Sequence, residues 1–189
     1  MNNELMSTKD MAVAAISRLD GSNETMEPHG VYTVQCHDAD GNLKWEDTID
    51  NLVTTAGKNF NLDTVFAGST YTAVWYLGLI SATSYTTGPA VGDTMASHGG
   101  WAEDQNYSSP AARGTCSWST AASGGSKSLA SAITFTMNAS TTIKGCFMVT
   151  NSTKGGTTGT LYSAGTFTGG DKIVQSSDQL SVSYTATLT

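Results

Sequence analysis

The sequence predicts an all-β fold: an antiparallel β-sandwich or jelly roll with one short helix in its body and an extended N-terminal arm carrying a β-hairpin. Two observations carry this prediction. The 189 residues include 22 Ser, 29 Thr and 20 Gly but only three Pro, and Thr favours strands whereas Gly and Ser favour turns. From residue 70 onward, short apolar or alternating runs recur between Gly-rich turns, which is typical of a sandwich.

The negative charge of the chain lies in its first fifty residues. Residues 1–50 hold ten acids against three bases, whereas residues 51–189 hold six of each sign. We therefore predict an N-terminal arm over residues 1–30 and a β-sandwich domain over residues 31–189. The body is poor in charge, so we expect neighbouring subunits to cover it. An acidic chain without a basic stripe is not expected to bind nucleic acid.

The chain shows no signal for export or membrane insertion. Residues 1–20 lack a basic start followed by an apolar run, and no stretch approaches the roughly 18 apolar residues of a membrane span. Cys36, Cys116 and Cys146 show no CxxC spacing. We expect them to be small buried hydrophobes in a reducing compartment.

The arm and the first part of the body carry most of the helix signals. Ser7 and Asp10 are typical of a helix start, and we predict one amphipathic helix that Gly21 closes. Residues 21–30 are polar and form a linker. Alternating runs around an Asp-Gly turn predict a hairpin over residues 31–49. A second helix is predicted over residues 54–67, capped by Thr54 or Thr55.

The remaining body is predicted to be β-structure. Residues 71–80 form a nearly continuous apolar strand, which we expect to be central and covered on both faces. Residues 81–110 form a long irregular loop, and such loops are usually functional or packed by their own side chains. Six further strands are predicted over residues 114–121, 129–137, 142–149, 160–167, 172–175 and 179–188.

The long loop contains the residue types of a nucleophilic triad, Asp93, Ser97 and His98. Ser97 and His98 are adjacent and point apart in an extended chain, and no nucleophile elbow surrounds the serine. A structural role is favoured instead, in which Asp93 and Thr94 bond the loop's own backbone and Trp101 anchors the loop in the core. The predicted loop anchor is therefore Asp93, Thr94, His98 and Trp101, with no catalytic residue.

Metal and cofactor sites are not expected. His29, His37 and His98 lie in three separate segments without a second ligand at metal spacing. The Asp38-x-Asp40-Gly41 turn resembles part of a calcium loop but lacks the glycine at position six and the glutamate at position twelve. We therefore predict a protein that is not an enzyme and holds no cofactor.

Several segments in the same order resemble a group of tailed-bacteriophage virion proteins. These segments are Asp-Gly-Asn-Leu-Lys-Trp at residues 40–45, Asn-Leu-Val-Thr-Thr-Ala-Gly at 51–57, Trp-Tyr-Leu-Gly-Leu-Ile at 75–80, Asp-Thr-Met at 93–95 and Gly-Trp-Ala-Glu at 100–103, followed by Tyr107 and Arg113. The resemblance covers about residues 31–189. It implies a structural component of the phage particle, and several β-sandwich members of the group cement or decorate the head.

The resemblance and the charge pattern together predict a capsid decoration protein. We expect such a protein to be made in the host cytoplasm, to lie on the capsid surface, to bind the major capsid protein and to form homo-oligomers. The arm would bind the shell or a neighbouring copy, and its candidate partner-binding residues are Met11, Ile16, Leu19, Asp20, Glu24 and Glu27. The alternatives are a tail or fibre component that binds a receptor glycan through Trp101, Trp118 and Tyr107, and a secreted carbohydrate-binding module or hydrolase, which the missing signal peptide disfavours.

Overall fold

The computed structural model describes residues 26–67, 74–119 and 122–189. It confirms the all-β prediction, because two antiparallel sheets pack as a sandwich. The elements are β1 (Pro28–His37), β2 (Leu43–Asp50), β3 (Leu52–Val53), α1 (Thr55–Phe66), β4 (Tyr76–Ser81), β5 (Ala102–Asp104), β6 (Tyr107–Ser109), β7 (Gly114–Thr115), β8 (Ser126–Ser128), β9 (Ile133–Met137), β10 (Thr141–Val149), β11 (Leu161–Thr166), β12 (Lys172–Val174) and β13 (Gln179–Leu188).

The two sheets differ in how they are assembled. Sheet A has the strand order β2-β1-β13-β9-β6, with β8 also paired to β13. Sheet B has the order β3-β11-β10-β4-β5, with β12 paired to β10 and β7 paired to β4. Their inner faces enclose a core of aromatic and aliphatic side chains, to which the alternating residues Tyr32, Val34 and Cys36 of β1 and Leu180, Val182 and Tyr184 of β13 contribute.

The hairpin lies within the sandwich rather than on an arm. Strand β1 pairs with β2 on one side and with β13 along its whole length on the other, from Pro28 opposite Leu188 to His37 opposite Gln179. The ordered sheet therefore begins three residues before the predicted boundary, at Pro28 rather than at residue 31. The predicted helix of the arm lies outside the described residues.

Helix α1 begins close to its predicted position because Thr54 caps it. The Thr54 Oγ1 accepts a hydrogen bond of 3.0 Å from the backbone N–H of Gly57, which satisfies one free donor of the first turn. Gly57 also lies against β11, where an added Cβ would come within 2.4 Å of the Tyr162 carbonyl oxygen. This close approach fixes the helix over one end of the sandwich.

Strand β4 is buried on both faces, and the long loop provides the second cover. Residues 82–101 lie over the outer face of sheet B, where Met95 and Trp101 pack with Ile80, Phe147 and Val149 in a second apolar cluster. Strand β4 pairs with β10 and β5 within the sheet. Residues 71–73 of the predicted strand lie outside the described part.

Several predicted boundaries differ from the structure. The predicted loop over residues 81–110 contains β5 and β6, which are three residues each and too short to give a periodic signal. The predicted strand over residues 114–121 is reduced to β7 plus an isolated bridge between Trp118 and Leu129. The predicted strand over residues 129–137 is shortened to β9, and β8, which precedes the predicted segment, also pairs with β13. Within the described ranges, no helix is long and apolar enough to cross a membrane.

Candidate interaction surfaces

The outer face of sheet A carries an array of hydroxyl groups, which we call the hydroxyl face. Strand alternation places one set of side chains in the core and the other on this surface. Cross-strand partners extend the array from β2 through β1 and β13 to β8 and β9. Its members are Val31, Thr33, Gln35, Glu46, Thr48, Asp50, Ser126, Ser128, Thr134, Thr136, Gln179, Ser181, Ser183, Thr185 and Thr187.

Many hydroxyls on this face pair with the residue opposite. The oxygen atoms are 3.1 Å apart in the Thr134–Ser181 pair and 2.9 Å apart in the Ser128–Thr185 pair. Such cross-strand pairs hold the side chains in a fixed arrangement along the sheet. The hydroxyl face is therefore an ordered polar surface rather than a set of independent side chains.

The acidic residues of the hydroxyl face lie at one edge. They are Glu46 and Asp50, both on β2, and Glu46 accepts a hydrogen bond of 2.5 Å from Gln35, whereas His29 and His37 of β1 lie opposite Thr187 and Gln179. Covering hydroxyls requires far less desolvation than covering ions, and water can bridge those that find no direct partner. A surface of this composition suits contact with another protein.

A second candidate surface is an apolar groove of about 690 Å³ at the end of the sandwich beside α1. Aromatic rings form its floor: Trp75 packs edge-on to Phe60 at 5.1 Å and to Tyr162 at 5.2 Å between ring centroids. We define the apolar groove by its lining residues Met26, Pro28, Phe60, Asn61, Thr64, Val65, Trp75, Trp118, Ala122, Gly125, Ser126, Lys127, Met148, Tyr162, Tyr184, Ala186, Thr187 and Leu188.

The rim of this groove exposes large apolar side chains. Val65 is 68% exposed, Met26 is 50% exposed and Leu188 is 45% exposed. Phe66 is adjacent on α1 and is 76% exposed. Exposed apolar groups gathered around a concave surface are typical of binding sites, so this groove is a candidate interaction surface. Lys127 is the charged residue of the lining, and its ammonium donates to the Ser119 carbonyl.

The four residues of the predicted loop anchor come together in the structure. The Trp101 Nε1 donates to Asp93 Oδ2 at 2.9 Å, and Ala90 N donates to the same oxygen at 2.9 Å. His98 lies over the Trp101 ring with 4.2 Å between centroids, and its Nδ1 is 3.0 Å from the Thr94 carbonyl oxygen. The imidazole is therefore held by loop backbone, and the arrangement stabilises the loop.

The described part of the chain contains one predicted partner-binding residue of the arm, Glu27. Its backbone N–H donates to the Thr189 carbonyl at 2.9 Å, and its carboxylate lies 3.5 Å from His29 Nε2 at an exposed position. Met11, Ile16, Leu19, Asp20 and Glu24 lie outside the described residues.

In the turn that resembles a calcium loop, the carboxylate of Asp38 accepts hydrogen bonds from the backbone of the turn itself. Asp38 Oδ1 accepts the backbone N–H of Asp40 at 2.9 Å and that of Asn42 at 2.8 Å. Hydrogen bonds from the Asn42 side chain and backbone hold the pKa of Asp38 below its usual value. Within the described ranges, no cluster of three or more His, Cys, Asp or Glu side chains could hold a metal ion.

The glycan platform proposed for a fibre protein is wrong for two of its three residues. Trp101 is 4% exposed and Tyr107 is fully buried, so neither ring can stack on a sugar. Tyr107 packs edge-on against Phe135 in the core. Trp118 is half-buried and lines the apolar groove.

Sequence reasoning missed a buried ion pair that fastens two loops. Arg113 Nη2 lies 2.7 Å from Glu103 Oε2, with the two side chains 0% and 5% exposed. The guanidinium also donates to the carbonyls of Asn151 at 3.0 Å and Gly156 at 2.8 Å. One signal was available, because Arg113 is the single arginine of the predicted body.

Comparison with known protein families finds no matching family model. Comparison with curated proteins finds no related sequence. The resemblance to phage virion proteins therefore stays a prediction from the sequence.

Proposed function

We propose that this protein is a structural component of a tailed-bacteriophage particle that binds the outside of the capsid. There it cements or decorates neighbouring major capsid protein subunits. The observation that carries the proposal is the hydroxyl face, an ordered surface whose acidic residues lie at one edge. The sequence resemblance supplies the class of particle.

The hydroxyl face suits this role because a cement protein covers the junction between capsid subunits, and charged groups buried there without a partner would weaken the contact. An unpaired ion in a protein contact costs several kcal/mol, whereas a hydroxyl can pair with a backbone group or a bridging water. Many copies, each bound weakly, stabilise a shell together. The acidic arm adds a second contact, which we expect salt to weaken.

The first experiment locates the protein and tests cementing. The protein is shed from purified particles with salt, and bare and intact particles are heated while DNA release is followed. We expect bare particles to release DNA at a lower temperature, and recovery when purified protein is added back. Equal release temperatures would exclude cementing.

The number of copies per particle tests the location of the protein. Hundreds of copies per particle support the head, whereas a few to a few tens support the alternative tail or fibre role.

A second experiment tests the surface itself. Ser183→Lys and Thr134→Lys each place a cation on exposed positions of the hydroxyl face, and Ile173→Lys places one on β12, where Ile173 is 71% exposed. We expect the first two variants to fold normally and to lose shell occupancy by at least about tenfold, corresponding to about 1.4 kcal/mol. The control should bind as the wild type does. Full occupancy by both face variants contradicts the proposal.

A further inference from the structure

A small polar cleft lies at the edge of sheet B, at the end of β4 that is away from the apolar groove. Strand β4 starts next to the groove residue Trp75 and ends at Ser81, which lines the cleft, and one side of the cleft is β5, the last strand in the order of sheet B. The cleft encloses about 220 Å³, which is less than the pockets that hold drug-sized ligands and suits a single side chain. Its polar lining includes Ser81, Thr83, Ser84, Asp104, Gln105 and Asn106.

Asp104 brings a buried carboxylate to this cleft. The residue is 1% exposed, and its two oxygens accept hydrogen bonds of 2.8 Å from the Asn106 backbone N–H and from the Thr141 hydroxyl. Both donors are neutral. Within the described ranges, no Lys, Arg or His nitrogen forms an ion pair with Asp104. Because a buried charge is costly until an opposite charge compensates it, this carboxylate favours the entry of a cation.

The neighbouring acid of the cleft, Glu103, is already compensated. Its Oε1 and Oε2 accept hydrogen bonds of 3.0 Å and 2.7 Å from the Arg113 guanidinium, and Oε2 also accepts the Gly155 N–H at 2.6 Å. The unbalanced charge of the lining is therefore that of Asp104. One such carboxylate among neutral groups suits an organic cation of single charge better than a divalent metal ion, which takes six or more oxygen ligands.

We propose that this cleft receives the guanidinium group of an arginine side chain from a partner protein. A guanidinium is weakly hydrated and carries five N–H donors, so it enters buried sites more readily than an ammonium does. Asp104 supplies the opposite charge. Gln105 and Asn106 are exposed at the cleft, and their amide oxygens can accept the remaining N–H groups. For the identity of the partner the inference rests on the proposed function, in which the arginine belongs to the major capsid protein.

Nuclear magnetic resonance of the isotope-labelled full chain tests the cleft without any particle. N-acetylarginine amide is titrated to about 50 mM, because a ligand this small is expected to bind with millimolar affinity. N-acetylcitrulline amide is the matched probe, since it keeps the shape but has no charge. We expect the arginine probe to shift the backbone amide signals of residues 81–84 and 103–106, and the citrulline probe to bind at least about tenfold more weakly.

Three results of the titration would overturn the proposal. The first is the absence of shifts with the arginine probe, and the second is equal binding of the two probes. The third comes from calcium chloride as a further probe. Shifts of the same signals with calcium, and none with the arginine probe, would assign the cleft to a metal ion.

Two variants test the part of Asp104 and of the cleft mouth. Asp104→Asn removes the charge and keeps the size of the side chain, whereas Thr83→Lys places a tethered ammonium at an exposed lining position. We expect each to weaken binding of the arginine probe at least about tenfold. Thr86→Lys, in the same loop but outside the lining, is the control and should bind the probe as the wild type does. Wild-type affinity of Thr83→Lys overturns the proposal even where Asp104→Asn does not fold.

The particle then tests the partner. We expect Thr83→Lys to occupy the shell at least about tenfold less than Thr86→Lys does. Full occupancy by Thr83→Lys overturns the capsid as the source of the arginine. Because the titration needs no particle, the two proposals fail separately. Unshifted signals together with early DNA release from bare particles would remove the cleft inference and leave cementing in place.

Discussion

The indole N–H of Trp101 and the carboxylate of Asp93 are joined by a 2.9 Å hydrogen bond across the long loop. The Trp101 ring also packs against Phe147 of β10, with 5.3 Å between centroids. This one side chain therefore links the polar frame of the loop to the outer face of sheet B. The loop is held as a cover for that sheet, which leaves the hydroxyl face of sheet A as the broad polar surface of the sandwich.

Replacing Trp101 with Phe tests this link. A smaller aromatic ring remains and Asp93 loses a donor, so we expect the free energy of unfolding to fall by at least about 1–2 kcal/mol, with lost packing adding to the lost hydrogen bond. Urea denaturation measures the change. Ser97→Ala in the same loop is the control and should change stability by less than about 0.5 kcal/mol. Equal effects of the two variants would argue against the Trp101–Asp93 bond as the fastening point.

Removing the guanidinium of Arg113 is expected to be more damaging. Arg113→Met leaves Glu103 buried without its cation, and breaking such a pair costs about 3–5 kcal/mol. Lys144→Met is the matched control, because its partner Asp171 is 50% exposed and surface pairs contribute about 0–1 kcal/mol. Thermal and urea unfolding of both variants gives the comparison. A loss of under about 1 kcal/mol for Arg113→Met contradicts the assignment.

Protonation of Asp47 is expected to lower the free energy of unfolding at acid pH. Burial alone raises the pKa of Asp47, but the Lys172 ammonium at 2.6 Å and the Thr48 backbone N–H outweigh it, and the net pKa lies below the ordinary 3.8. A carboxyl with a depressed folded pKa stabilises the fold above its unfolded pKa. This contribution is lost as the pH falls from about 3.8 through the folded value.

The measurement is urea unfolding from pH 6 to pH 2.5. We expect Asp47→Asn to be less stable than the wild type at pH 6, and the difference to shrink below pH 3.8. Asp63→Asn, at an exposed position of α1, should parallel the wild type across the range. A constant difference between Asp47→Asn and the wild type would rule out this linkage.

The three thiols should be inert in the folded protein. Burial raises the pKa of Cys36 and Cys116 to about 12, and it raises that of Cys146 well above the usual value. Because the thiolate is the reactive form, a water-soluble thiol reagent at pH 8 should leave the native protein unmodified. In denaturant the same reagent should modify all three. Rapid labelling of the native protein would contradict the burial of these cysteines.

Local signals in the sequence located most of the elements. The Asp-Gly turn predicted the β1–β2 hairpin, Thr54 marked the start of α1, and continuous apolar residues identified β4 as a buried strand. Each of these signals depends on residues close in the chain. Strands β5 and β6 were missed because three residues show no period, and the Arg113–Glu103 pair was missed because it depends on burial by distant loops.

The sequence by itself determined that this chain folds as an antiparallel sandwich and that its charge is concentrated near the N-terminus. Propensity, turn residues and alternation act over a few residues, so they can be recognised without knowing which strands pair. Only the tertiary structure decided which sheet face the described residues cover. The long loop covers sheet B, whereas cross-strand pairing aligns the hydroxyls of sheet A, and both depend on contacts between residues that are far apart in the chain.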